Sequence, residues 1–162
     1  MTGLSWFVAH TKPRREKKLL EYCRRRAIAA TLPTYRSAHR YRGKTVIFHK
    51  PLFPGYVFLQ LVSGQKDCIH QSEYVANLLE VFDQSTFFHQ LTQILKTLES
   101  DLEVRLAPTI GEGMRVRIKS GPLRGVEGRV EHRQGQVFVL LRLDFIGQAA
   151  AIKIEANLLE PT

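Results

Sequence analysis

The stretch Pro51-Leu52-Phe53-Pro54-Gly55-Tyr56-Val57-Phe58-Leu59-Gln60-Leu61 limits the possible folds of this chain more than any other. Two prolines bracket Leu52 and Phe53. Proline fixes φ and has no N–H for a ladder, so the pair marks an edge segment, not the middle of a sheet. Gly55 then permits a turn. From Tyr56 onward the residues are aromatic or aliphatic with few polar interruptions, and 56–61 is expected to be a central strand of a small α/β domain. Alternation places Tyr56, Phe58 and Gln60 on one face and Val57, Leu59 and Leu61 on the other. Phe53, Tyr56 and Phe58 together exceed what a modest core requires. Two readings stay open, a docking surface and ordinary core packing.

The chain has 162 residues, enough for one ordinary domain or two small ones. No run approaches the 18 or more apolar residues of a membrane span, and Met1-Thr2-Gly3-Leu4-Ser5 lacks the basic and apolar regions of a secretory signal. The expectation is a cytoplasmic protein with no membrane association. Cys23 and Cys68 are too few for a disulfide framework or a four-cysteine metal site. His10, His39, His49, His70, His89 and His132 are dispersed without metal-ligand spacing. Asp144 is an isolated carboxylate, and Gly111-Glu112-Gly113 lacks the lysine and hydroxyl of a P-loop. These patterns predict a binding protein with no metal, no cofactor and no enzyme activity.

The net charge of +9 is unevenly spread. Residues 12–50 hold 13 of the 24 Lys and Arg against two acids. Such a segment is either a solvated basic face or a surface for a phosphate backbone.

In chain order, Trp6–Thr11 reads as a strand. A helix follows at about Arg14–Arg26, with Pro13 in its first turn, Thr11 or Lys12 near its cap and Glu16 at its positive end. Its apolar side holds Leu19, Leu20, Tyr22, Cys23 and Ile28, and its other side is basic. Ala30–Tyr35 reads as a strand. Arg42-Gly43-Lys44 is a tight turn before Thr45-Val46-Ile47-Phe48, giving a basic hairpin tip able to reach a phosphate backbone. A short helix is expected within 68–76, a strand at 77–82, and an amphipathic helix at 87–98. Ser100–Gly113 reads as a linker. Five short strands follow, at 114–118, 125–130, 137–143, 149–154 and 158–159, with glycine-containing turns, and indicate a small β-barrel.

Trp6-Phe7-Val8, the helix start Lys12–Lys18 and Lys50-Pro51-Leu52-Phe53-Pro54-Gly55-Tyr56-Val57-Phe58 resemble the amino-terminal domain of NusG-type transcription elongation factors. Within that family, Gly43-Lys44-Thr45 and Pro51-Leu52-Phe53-Pro54 resemble the specialised, RfaH-like antiterminators. Residues 111–130, especially Gly113, Val116, Ile118, Gly121, Pro122, Leu123, Gly125, Gly128 and Val130, resemble the KOW motif. The fold implied is α+β. Residues 1–100 would form an α/β sandwich with a mostly antiparallel sheet, 101–110 a linker, and 111–162 an SH3-like KOW β-barrel. Some RfaH-like members hold the second domain as a helical hairpin. Here the β-prone Val137–Leu141 and the repeated glycines favour strands.

The resemblance implies a monomeric transcription elongation or antitermination factor that suppresses pausing or termination. It would bind the clamp helices of RNA polymerase through Trp6, Phe7, Phe53, Tyr56 and Phe58. The non-template strand or upstream duplex would meet Lys12, Arg14, Arg15, Arg40, Arg42 and Lys44, with His70, Gln71 and Ser72 near the second helix. Phe145 and Ile146, just before Gly147, would form the apolar tip that recruits a small-subunit ribosomal protein or the Rho termination factor. Two other readings are a general housekeeping elongation factor with little DNA specificity and a ribosome-associated RNA-binding protein.

Overall fold

A computed structural model describes residues 3–100, 102–108, 113–133 and 136–162. The chain divides into two compact units, Met1–Gln84 and Ser85–Thr162.

The first unit holds β1 (Ser5–Thr11), α1 (Glu16–Arg25), β2 (Ala29–Thr31), β3 (Thr34–Tyr41), β4 (Lys44–Pro51), β5 (Tyr56–Leu61), α2 (Lys66–Gln71) and β6 (Val75–Glu80). Strands β2, β5, β1 and β6 lie in that order in one antiparallel sheet. The expected central strand is indeed internal, paired to β1 on one side and β2 on the other. Its register, Phe7 opposite Leu59 and Ala9 opposite Val57, gathers Phe7, Ala9, Val57, Leu59 and Leu61 on one face. Leu19 and Cys23 of α1, Ile69 of α2, Ile28 and Val75 close that face into a core. Trp6, Val8, His10, Tyr56, Phe58 and Gln60 line the opposite face.

Three local expectations are corrected. Thr11 does not cap α1. It ends β1 at 4% exposure, its hydroxyl buried without a hydrogen-bond partner, and the helix begins without a side-chain cap at Arg15. Pro13 lies in a turn ahead of the helix, closed by Arg15 N–H to Lys12 O at 3.2 Å, with Arg14 at φ 61°. The expected strand 30–35 is two strands. Pro33 cannot extend the ladder and interrupts it, while its carbonyl accepts from Leu52 N–H at 2.9 Å.

Among the described residues, strands β3 and β4 pair only with each other, as a two-stranded sheet of eight-residue strands in register from Thr34/Pro51 to Tyr41/Lys44. Arg42 (φ 48°) and Gly43 (φ 79°) make the two-residue turn, the left-handed pair that matches the twist of a tight hairpin.

Helix α3 (Gln84–Leu98) leads into the second unit, which holds β7 (Val104–Pro108), β8 (Arg115–Ile118), β9 (Glu127–Arg133), β10 (Gln136–Leu143), β11 (Gln148–Lys153) and β12 (Leu159–Pro161). These form one antiparallel sheet in the order β12-β8-β9-β10-β11-β7. The five expected strands are present. A sixth, β7, lies within the segment read as a linker and pairs with β11, Val104 opposite Ile152. The glycines and acids around it and Pro108 itself hid a short edge strand, which stops at that proline because it has no N–H to donate. Val116, Ile118, Val139, Leu141, Leu143, Ala150 and Ile152 are buried, and the register puts Val139, Leu141, Ala150 and Ile152 on one face. Gly128 pairs with Val116 where a Cβ would collide with the carbonyl oxygen of Leu140, so the close approach of β9 to β10 favours glycine at this position.

Candidate functional site

The residues predicted to dock polymerase and nucleic acid belong to the first unit, and the predicted partner-binding pair to one turn of the second. The first surface is the sheet face opposite the α1 core. Its access to β5 is set by Phe53-Pro54-Gly55-Tyr56, a tight turn closed by Tyr56 N–H to Phe53 O at 3.2 Å, with proline and then glycine (φ 87°) at its corners. Two contacts fasten this turn. Gly55 O accepts from Thr11 N–H at 2.8 Å, and Gly55 N–H donates to the Glu16 carboxylate at 2.9 Å. Glu16 is largely buried, so its carboxylate both faces the start of α1 and holds the turn that delivers Tyr56.

Of the five aromatics assigned to polymerase docking, Phe7 (2%), Phe53 (1%) and Phe58 (0%) are buried. Phe7 belongs to the α1-side core, because one-residue alternation turns it away from Trp6. Phe53 and Phe58 pack edge to face at 6.4 Å. These three present no area to a partner in this structure, and for them core packing describes the environment. Trp6 and Tyr56 are half-buried on the other face. Beside them stand exposed His10, whose ring stacks on Tyr56 at 5.1 Å, exposed Asn77 opposite it, and Leu79 at 45% exposure opposite Val8. Sequence reasoning missed His10 and Leu79. For His10 the signal was there, since the period of two that starts at Trp6 reaches it through Val8.

The basic residues fall into two groups. Lys12, Arg14 and Arg15 are exposed on the β1–α1 turn, and Lys12 N–H donates to Tyr74 O at 2.8 Å, which sets that turn beside the segment after α2. His70 and Gln71, the last two residues of α2, are exposed. Ser72 is engaged internally, its hydroxyl donating to Ile69 O at 2.6 Å and accepting from Tyr74 N–H at 3.2 Å. Arg40, Arg42 and Lys44 lie at the far end of the β3–β4 hairpin. The hairpin base is tied to α1 by Lys17 Nζ to His49 O at 2.8 Å. Five residues at about 3.3 Å each put the tip roughly 17 Å beyond that tie.

In the second unit Phe145 and Ile146 occupy a single 3-10 turn between β10 and β11, closed by left-handed Gly147. Phe145 packs edge to face on Phe87 of α3 at 6.3 Å. The Gln90 carboxamide donates to Asp144 Oδ2 and accepts from Asp144 N–H, each at 2.9 Å, while Arg142 Nε reaches Asp144 Oδ1 at 2.8 Å. A groove of about 190 Å³ between α3 and the sheet is lined by Arg115, Arg129, Arg142, Glu127 and Asp144 among others. It is smaller than the roughly 300–1,000 Å³ of small-molecule sites. Among the described residues no three His, Cys, Asp or Glu stand together as a metal site, and no helix is long and apolar enough to cross a membrane.

The sequence family described as transcription termination factor NusG matches residues 4–97. The chain belongs to the NusG family. The match takes in the whole sheet of the first unit, the β3–β4 hairpin and nearly all of α3. Membership in the NusG family makes this a protein of transcription elongation and termination, a family that binds RNA polymerase and whose members are not enzymes. No individual curated protein matches the chain.

Proposed function

We propose that the chain is a non-enzymatic, cytoplasmic elongation and antitermination factor of the RfaH-like kind. It binds the clamp helices of RNA polymerase through the face built on Trp6, His10, Tyr56 and Leu79. Lys12, Arg14 and Arg15, with His70 and Gln71, contact bubble DNA or the upstream duplex, and Arg40, Arg42 and Lys44 add a second contact at the hairpin tip. The KOW domain, through Phe145 and Ile146, recruits a small-subunit ribosomal protein or Rho. A clamp held closed on DNA resists pausing, which is the antitermination step.

The observation that carries this reading is the His10–Tyr56 stack on a partly exposed sheet face of the family-matched region. An aromatic seated on a second ring and rimmed by apolar and polar groups has the form of an interface anchor. The test is binding of the full chain to core polymerase with and without its clamp helices. Tight binding that disappears with those helices is expected. Equal binding to both polymerases overturns the assignment.

A further inference from the structure

Nothing in the first unit's sheet needs the β3–β4 hairpin to be as long as it is, and its composition is extreme. Residues 34–51 contain five Lys or Arg, two histidines and no acid. Tyr41 (57% exposed), Phe48 (40%), Val46 (37%) and Ile47 (54%) face solvent. A two-stranded ribbon is marginal by itself and its open edges invite pairing with another chain. Five positive charges per ribbon oppose pairing with a second copy and favour a polyanion.

The register separates two faces. Tyr35, Ser37, His39 and Tyr41 of β3 share a face with Lys44, Val46, Phe48 and Lys50 of β4, and Arg36 and Arg40 lie on the other with Ile47 and His49. On the first face Phe48 meets His39 edge to face at 5.4 Å and Tyr41 edge to face at 6.3 Å. Lys50 Nζ lies 2.9 Å from His39 Nε2 and Ser37 Oγ lies 3.0 Å from it. An ammonium has only protons to give, so in this contact Lys50 is the donor and His39 Nε2 the acceptor. These contacts hold the cluster together from within, while Tyr41 and Phe48 stay exposed with Lys44 at one end and Lys50 at the other.

We infer that this face is a stacking platform for single-stranded DNA, with Tyr41 and Phe48 taking the bases and Arg42, Lys44 and Lys50 the phosphates. Open rings interleaved with cations suit a single strand, whose bases are free to stack. A duplex buries its base faces and would use the charges alone. The inference rests on the bubble-binding part of the proposed function and adds to it which residues read the strand and in what form.

The test uses the full chain and a fluorescein-labelled 15-nucleotide mixed-sequence DNA, single-stranded or as duplex, and its RNA counterpart, followed by anisotropy across a salt series. The single strand should bind at least fivefold more tightly than the duplex. Tyr41→Leu with Phe48→Leu keeps apolar bulk and removes the rings. It should weaken single-strand binding by about tenfold or more with an unchanged salt slope, and leave duplex binding alone. Tyr41→Leu by itself, at an exposed position, gives a smaller loss of the same kind if the double variant misfolds. Arg42→Gln with Lys44→Gln should instead flatten the salt slope by about 1 or more. Duplex binding as tight as single-strand binding, wild-type affinity in the ring variants, or tighter binding of RNA than of DNA overturns the inference. Core-polymerase binding measured on the same variants is expected to be unchanged, so failure here is distinguishable from failure of the clamp-helix assignment.

Discussion

The imidazole of His10 lies on the phenol ring of Tyr56, centroids 5.1 Å apart and planes inclined by 23°, and the two residues are direct cross-strand partners of β1 and β5. Cross-strand ring pairs of this kind contribute about 0.5–1.5 kcal/mol beyond area burial, so Tyr56 is held ready instead of being ordered on binding. Tyr56→Ala should therefore cost about 2 kcal/mol or more of polymerase affinity, roughly thirtyfold, with little change in the melting transition. Phe7, one residue from Trp6 but in the α1 core, should behave oppositely. Phe7→Ala should cost about 3–5 kcal/mol of stability. Titration against an isolated clamp-helix fragment, beside thermal melts of both variants, checks the pair. Wild-type affinity for Tyr56→Ala would remove Tyr56 from the docking surface.

Lys12, Arg14 and Arg15 are exposed on one turn, tied to Tyr74 just after α2 by the Lys12 N–H, a geometry suited to phosphates on one short stretch of strand. Each phosphate neutralised on a single strand adds about 0.7 to the slope of log affinity against log salt. Replacing all three by glutamine should lower that slope by about 2 for a polymerase-bound bubble. The melting curve should hardly move, since none of the three is buried. An unchanged slope would assign the turn to a solvated basic face.

Burial pushes the Cys23 thiol up to about 11, with nearby Cys68 adding to the rise and Arg26 opposing it. The Tyr22 hydroxyl is raised for the same first reason and donates to Cys68 O at 2.7 Å. Above about pH 9 the unfolded chain loses the Cys23 proton while the folded chain keeps it. The folded state then binds more protons, and stability falls as pH rises toward 11. The advantage of wild type over Cys23→Ala in urea midpoint should accordingly be constant below pH 8 and shrink between about pH 9 and 11. A gap independent of pH would mean the thiol ionises as freely in the folded chain as in the unfolded one.

The alternation of Tyr56–Leu61 and the Pro54-Gly55 pair were readable in the sequence because each rests on local geometry, a period of two and a turn with proline and then glycine at its corners. The Arg42-Gly43 turn was readable for the same reason. Which aromatics face outward was not, because Phe53 and Phe58 are as suited to a core as to an interface and burial is decided by tertiary neighbours. His10 was passed over as one of six scattered histidines until the β1–β5 register placed it on Tyr56. The strand at Val104–Pro108 was hidden in the same way, since its partners in β11 lie 40 to 48 residues downstream and its own residues look like a linker.

Gly128 makes a sharper test of the second unit than any of its turn glycines. Its φ is ordinary, so a side chain is excluded there by space alone. A Cβ would collide with the backbone oxygen of Leu140 and lie 2.7 Å from Val139 Cγ1, and backbone in the centre of a sheet cannot swing aside as a flexible side chain would. Overpacking of this sort costs about 1–3 kcal/mol. Gly128→Ala should therefore speed amide exchange across β9 and β10, at Val130 and Leu140 above all, by roughly five- to hundredfold if exchange there follows the opening of the sheet. Gly64→Ala is the control, because it has an unstrained φ and open space around its Cβ, and no loss of protection is expected. The chain's one tryptophan, Trp6, lies in the first unit, so its fluorescence reports on that unit, and exchange measured strand by strand is the appropriate readout for the second. Undiminished protection of Val130 and Leu140 in Gly128→Ala would show that β9 and β10 can separate enough to admit a methyl group, and that the close approach is not what requires glycine at this position.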